Sequence, residues 1–129
     1  MGLSVEVARI LVPGAASGPA LVLDEPLSLW GGLDPETGRI VEASHPQLGA
    51  SVTGRILVMR SGRGSSSSST VLAEALRLGT GPAGIVLGEP DEIIAIGSLI
   101  AAELYGKGIP VVVVGDDLAL VADGSPISL

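Results

Sequence analysis

The stretch Gly62-Arg63-Gly64-Ser65-Ser66-Ser67-Ser68-Ser69-Thr70 lies between a strand-like segment, Arg55 to Met59, and a helix-like one, Val71 to Leu78. A glycine-rich turn leading from a strand into a helix start gathers free N–H groups, the positive end of a helix dipole and serine hydroxyls in one place. Two functions suit that collection: holding an anion, or carrying a reactive serine. The loop by itself does not choose between them. A low-complexity linker is the plain alternative for the serine run. It is disfavoured because it leaves two halves of roughly 60 residues, each small for a core. The apolar pattern also resumes at once with Val71-Leu72.

Working outward, the second half alternates between strand and helix. Strand 55–59 leads to helix 66–78, strand 84–87, helix 91–105 and strand 110–114. The segments at 84–87 and 111–114 are unbroken apolar runs, as expected of parallel strands buried on both faces. Asp91 is placed to cap the second helix, and an acidic first turn suits its dipole. Ile93, Ile96, Ile100 and Leu104 recur at helical spacing and predict its apolar face. Gly106, Gly108 and Pro110 end it. The first half reads as strand and turn: Val5 to Val12, Ala20 to Leu23, a short strand from Arg39 to Glu42, and Ser51 to Met59. A long connection, Asp24 to Gly38, carries Gly31-Gly32 and the turn signal Asp34-Pro35-Glu36-Thr37-Gly38. Connections of that length are often functional. The pattern is a βαβαβ half-sheet joined to a β-rich half, within one domain spanning residues 1–129.

Hydrophobic residues make up 47% of the chain and charged residues 16%, against roughly 25% charged in ordinary soluble proteins. So apolar a chain is expected to cover part of its surface with a partner. The longest apolar stretch, Ile93 to Ala102, is far short of the ~18 residues that a membrane helix needs. No signal peptide is visible at the start, and a cytoplasmic location is the default expectation. Seven Lys and Arg against fourteen Asp and Glu give a net charge of −7, which argues against nucleic acid. Aromatic residues, at 2%, supply no stacking platform for single strands. Basic side chains still cluster locally, with Arg55, Arg60 and Arg63 inside nine positions. With no cysteine and one histidine, the chain is expected to hold no metal of its own.

Several motif readings of the serine loop fail on chemistry. A Walker-type loop needs a lysine, and none is present in the run. A dinucleotide fingerprint needs a third glycine where Ser67 stands. A lipase-type elbow needs Gly-x-Ser-x-Gly, but Ser66 and Ser67 follow Ser65. A serine–histidine hydrolase has only His45 to use, and beside Pro46 that side chain reads as a loop residue bonded locally. A phosphohistidine carrier needs a histidine in the mobile loop. Asp34, Glu36, Asp91 and Glu92 read mainly as turn and helix-start residues, although Gly31 and Gly32 let the backbone near Asp34 approach a ligand closely.

Three segments taken in order carry a resemblance to a known family. They are Gly31-Gly32-Leu33-Asp34-Pro35-Glu36-Thr37-Gly38, His45-Pro46, and Ser61-Gly62-Arg63-Gly64-Ser65-Ser66-Ser67. Together they resemble the small "swivel" subunit of the aconitase X group, over roughly residues 5 to 115. The resemblance implies an α/β fold, a swivelling three-layer β/β/α domain with a parallel central sheet. It implies a hydro-lyase (dehydratase) that removes water from a small anionic hydroxy acid, cis-3-hydroxy-L-proline or (R)-5-phosphomevalonate. It also implies a larger partner subunit holding iron or an iron–sulfur cluster, with neither nucleic acid nor membrane as partner. By motif position Ser65 is the expected proton acceptor. Gly62, Arg63, Gly64, Ser66 and Ser67 are the expected substrate contacts, and Gly31, Gly32, Asp34 and His45 are further candidates. Classical aconitases carry an arginine where Ser67 stands here, so Arg63 or Arg60 is the expected replacement cation.

A serine hydroxyl titrates far above neutral pH. A helix N-terminus contributes ~0.3–1 kcal/mol, up to ~2 when partly buried, which at ~1.36 kcal/mol per pKa unit is about one unit. The small subunit alone is therefore expected to be inactive. The rival expectation is a regulatory module whose serine loop holds an anion or phosphate without chemistry.

Overall fold

The computed structural model describes residues 6–129. Among the described residues there are eight strands: β1 (Arg9–Val12), β2 (Ser17–Val22), β3 (Leu33–Asp34), β4 (Arg39–Ile40), β5 (Ile56–Met59), β6 (Gly84–Leu87), β7 (Val111–Val113) and β8 (Pro126–Ser128). Between them lie one irregular turn of helix, α1 (Leu29–Gly32), and two regular helices, α2 (Ser68–Leu78) and α3 (Glu92–Tyr105). Six strands form one sheet in the order β1-β7-β6-β5-β2-β8, and β3 pairs with β4 in a small hairpin. The four central strands, β7, β6, β5 and β2, run parallel, whereas the edges β1 and β8 are antiparallel to their neighbours.

The apolar runs in β5, β6 and β7 follow from this position. Alternate side chains enter two cores. Leu57, Met59, Ile85, Leu87, Val111 and Val113 meet the helices through Leu72, Leu76 and Ile94. Ile56, Val58, Val86 and Val112 pack on the other face with Val121 and Ile127. β6 occupies the predicted positions 84–87, and β5 and β7 are shorter than predicted by a residue or two. The Val5–Val12 strand is seen as Arg9–Val12, with Val5 outside the described residues. Ser51 makes only an isolated bridge to Arg39 and does not join β5. The long connection at 24–38 contains α1 and β3. A 3-10 helix at Gly115–Leu120 and the edge strand β8 complete the chain, and neither carries a strong periodic signal in the sequence.

The predicted apolar face of α3 is corrected by the structure. The buried side is Ile94, Ala95, Gly97, Ser98 and Ala101, while Ile96 and Leu104 are exposed and Ile93 and Ile100 are only half-buried. Small residues face inward because α3 packs tightly on α2. A Cβ added at Gly97 would lie 2.9 Å from the Ser69 carbonyl oxygen and 3.0 Å from Leu72 Cβ. The Ser98 hydroxyl secures the far end, donating to the Ile109 carbonyl at 2.6 Å and accepting the Ile109 N–H at 2.8 Å.

Candidate functional site

The loop after β5 enters a cleft through four consecutive residues, Gly62, Arg63, Gly64 and Ser65, joined there by Ser68 of α2 and by Asp91, Ile93 and Ile94 at the start of α3. Parallel βαβ topology produces this meeting, because the C-terminal ends of adjacent strands β5 and β6 deliver both loops to one edge. The loop is held from two sides. Leu27 pairs with Gly62 as a parallel bridge, and the Arg63 N–H donates to the Leu27 carbonyl at 3.2 Å. From α3, Asp91 accepts the Gly62 N–H on Oδ2 at 2.9 Å while its Oδ1 caps the helix, accepting from Ile93 and Ile94 at 3.0 and 3.2 Å. A Cβ at Gly62 would stand 2.8 Å from Asp91 Oδ2, so this approach requires glycine. Gly64, at φ +89°, then makes a left-handed turn that L side chains rarely adopt.

Ser65 closes the turn with its side chain. Its Oγ accepts the Ser67 N–H at 3.0 Å, a hydroxyl cap one step ahead of α2. An oxygen that receives a backbone N–H is better placed to carry negative charge than one without. The helix start is otherwise closed to ligands, contrary to the free donors expected from the sequence. The N–H groups of Ser68, Ser69 and Thr70 donate to the carbonyls of Ser65, Ser66 and Ser67 at 3.1, 3.3 and 3.1 Å. This tight turn is also why α2 begins at Ser68 and not at residue 66.

Arg63 does not face the cleft as an unpaired cation. Its Nη2 donates to Glu42 Oε2 at 2.8 Å. Glu42 sits at the end of the 39–42 segment, where the Val41 N–H reaches the Gly32 carbonyl at 2.8 Å and the His45 N–H reaches the Glu42 carbonyl at 3.1 Å. The glycine pair, the His-Pro segment and the serine loop thus converge around one ion pair. Arg63 and Asp91 are the two charged residues of the lining, one of each sign. The cleft is small, about 40 Å³, scarcely more than the ~30 Å³ that one water occupies. Ligand sites commonly enclose ~300–1,000 Å³, so this cleft does not enclose a ligand of ordinary size by itself.

A family profile described as the aconitase X swivel domain matches residues 6–129. The chain belongs to that family. Among relatives of the swivel domain is cis-3-hydroxy-L-proline dehydratase of Pseudomonas aeruginosa, 44% identical over 110 residues that cover 85% of this chain and 19% of that protein. Another is the phosphomevalonate dehydratase small subunit of Methanothermobacter thermautotrophicus, 39% identical over 104 residues, covering 81% of this chain and 75% of that subunit. The swivel domain therefore spans about a fifth of the Pseudomonas relative and most of the archaeal one. In three dimensions it superposes on the crystal structure of holo-form aconitase X from Thermococcus kodakaraensis with a TM-score of 0.86 at 33% identity, covering 96% of this chain and 88% of that one. The mixed α/β fold with its mostly parallel sheet is that of the aconitase X swivel.

Of the residues expected in the site, the swivel domain brings Gly62, Arg63, Gly64 and Ser65 to the cleft. Ser66 and Ser67 are exposed on the turn above it, with their carbonyls taken by the hydroxyls of Ser69 and Thr70. Gly31 and Gly32 stand behind Glu42 and outside the lining. Asp34 is occupied by its own turn, accepting the Glu36 N–H at 3.0 Å and the Thr37 hydroxyl at 3.1 Å. His45 is buried; its Nδ1 accepts the Gln47 N–H, which leaves Nε2 to donate to the Glu25 carbonyl, both at 3.0 Å. The arginines that cluster in sequence separate in space. Arg55 donates to the Ala20 carbonyl at 2.7 Å, and Arg60 lies 4.0 Å from Glu89 on the surface. Sequence reasoning missed Glu42, Ser68 and the second role of Asp91. The buried Ser68 hydroxyl accepts the Trp30 N–H at 3.1 Å and so ties α1 to α2. Only Asp91 left a trace in the sequence, as a helix cap. Among the described residues no group of three or more His, Asp or Glu converges to hold a metal, and with no cysteine the chain does not fit an iron–sulfur cluster.

Proposed function

We propose that this swivel domain is the small subunit of a two-subunit hydro-lyase that dehydrates a hydroxy acid, cis-3-hydroxy-L-proline or (R)-5-phosphomevalonate. The observation that carries the reading is Ser65 Oγ, lining the cleft and held by the Ser67 N–H in a chain of the aconitase X family. In this reading Ser65, as alkoxide, takes the proton from the carbon next to the substrate carboxylate and is left as the hydroxyl. Arg63 meets the carboxylate, exchanging Glu42 for it. Departure of the hydroxyl from the neighbouring carbon has no group in this chain and is assigned to the partner subunit, together with the iron or iron–sulfur centre. The anion-binding regulatory module is disfavoured, since the N–H groups at the start of α2 are already spent within the turn.

The test is reconstitution with the large aconitase X subunit of the same genome under anaerobic conditions, followed by assay of both hydroxy acids. Ser65→Ala is expected to lower turnover by about 10²–10⁴-fold, the usual contribution of a positioned acid–base group, while the complex still assembles. Retention of most activity by that variant would remove Ser65 from the chemistry.

A further inference from the structure

Helix α3 keeps one large aliphatic side chain, Ile94, fully in the core beside Ala95, Gly97, Ser98 and Ala101, and turns others toward water: Ile96 is 46% exposed and Leu99 49%. Single exposed apolar residues are commonplace. These are successive turns of one ridge, and the ridge runs into the cleft, because Ile93 at its head lines the wall beside Ser65. Next to Ser68 of the lining stands Trp30, the chain's one tryptophan, 59% exposed, its backbone N–H donating to the Ser68 hydroxyl. The cleft is therefore flanked by large apolar side chains that nothing among the described residues covers.

We propose that the ridge Ile93-Ile96-Leu99, together with Trp30, is the surface on which the large dehydratase subunit docks, closing over Ser65 as it does so. The proposal rests on the reading of the chain as a small subunit. Three observations select that occupant. The cleft, at about 40 Å³, is too small to be a finished site. In the Pseudomonas relative the matched segment is 19% of one longer chain, so most of that polypeptide lies outside this domain. In the archaeal relative the segment is a separate subunit, which must be held by a surface and not by a tether. A second copy fits poorly: exposed Glu92 and Glu103 bracket the ridge, and a chain of net charge −7 would set carboxylate against carboxylate. The complementary partner surface is apolar at its centre with Lys or Arg at its rim.

The experiment co-expresses this chain with a tagged large subunit from the same genome and measures the affinity of the purified pair by calorimetry. Ile96→Asp and Leu99→Asp are each expected to weaken the complex at least about 30-fold, with unchanged helical circular dichroism and melting temperature in the isolated chain. Ile96→Gln is the milder variant should Asp disturb folding. Leu120→Asp, at a residue more exposed than either and placed in the 3-10 helix beyond the other core, is expected to bind as the wild type does. Undiminished binding by the ridge variants overturns the proposal, as does equal loss in Leu120→Asp. An isolated chain that forms a dimer split by Ile96→Asp overturns it in favour of self-association. Failure of the wild-type pair to bind overturns both this proposal and the small-subunit reading. A complex that forms through the ridge but dehydrates neither substrate leaves the docking surface standing and sinks the proposed activity.

Discussion

Individual side chains in the cleft each serve more than one neighbour, and that makes them separable by substitution. Asp91 uses Oδ1 for the α3 cap and Oδ2 for the Gly62 N–H. Asp91→Ala removes both and should cost about 0.5–2 kcal/mol in urea denaturation, the usual loss for a cap. Asp91→Asn keeps one acceptor for the cap and places a donor against the Gly62 N–H. It is expected to retain most of the stability while the Gly62 amide exchanges hydrogen faster, which amide-exchange spectra would register. If Asn and Ala lowered stability equally, the division of labour between the two oxygens would be wrong. Glu42→Gln tests the ion pair in the same way. It frees the Arg63 guanidinium, so the reconstituted enzyme should show a lower KM for its anionic substrate with little change in kcat. A raised KM would mean that Glu42 holds Arg63 in its working position.

At the scale of elements, α3 offers the sharpest contrast. Ile94 is fully buried, and Ile94→Ala is expected to destabilise the isolated chain by about 2–5 kcal/mol. Ile96→Ala, two residues along, should change stability by no more than about 0.5 kcal/mol. The Ile93-Ile96-Ile100-Leu104 spacing on its own predicts the opposite order, so paired urea melts decide between pattern and packing. Helix α2 carries a smaller effect. The Arg77 guanidinium, hydrogen-bonded to Glu74 and attracting it, holds that carboxyl below its ordinary range. Its support is present above the unfolded carboxyl's pKa and is lost as pH falls through the lowered folded value. Being exposed, the pair acts only slightly.

For the whole molecule, the decisive property is incompleteness. A cleft of about 40 Å³, an arginine already paired with Glu42 and an exposed apolar ridge are the features that the proposed docking of a larger partner would complete. The central strands, the two long helices and the serine loop were legible in the sequence. Their signals are local: unbroken apolar runs, a cap at Asp91, and glycines at 62, 64 and 106 that punctuate the chain. Arg63 and Ser65 line the cleft together because strand-loop-helix order, itself a local pattern, delivers them there; the role given to Ser65 came from the family resemblance. Glu42 was not legible, because its partner is 21 residues away and no periodicity marks an ion pair. The Arg55-Arg60-Arg63 cluster dissolved because β5 carries its two ends to different places. What the sequence determined alone was the class of fold, the family and the loop that enters the cleft. The tertiary structure decided which face of α3 is core, that the helix N–H groups are already occupied, and that Arg63 waits on a carboxylate. Helical spacing shows that a face is apolar but not what lies against it, and the close approach of α2 at Gly97 turned the buried face to Ile94 and the small residues around it.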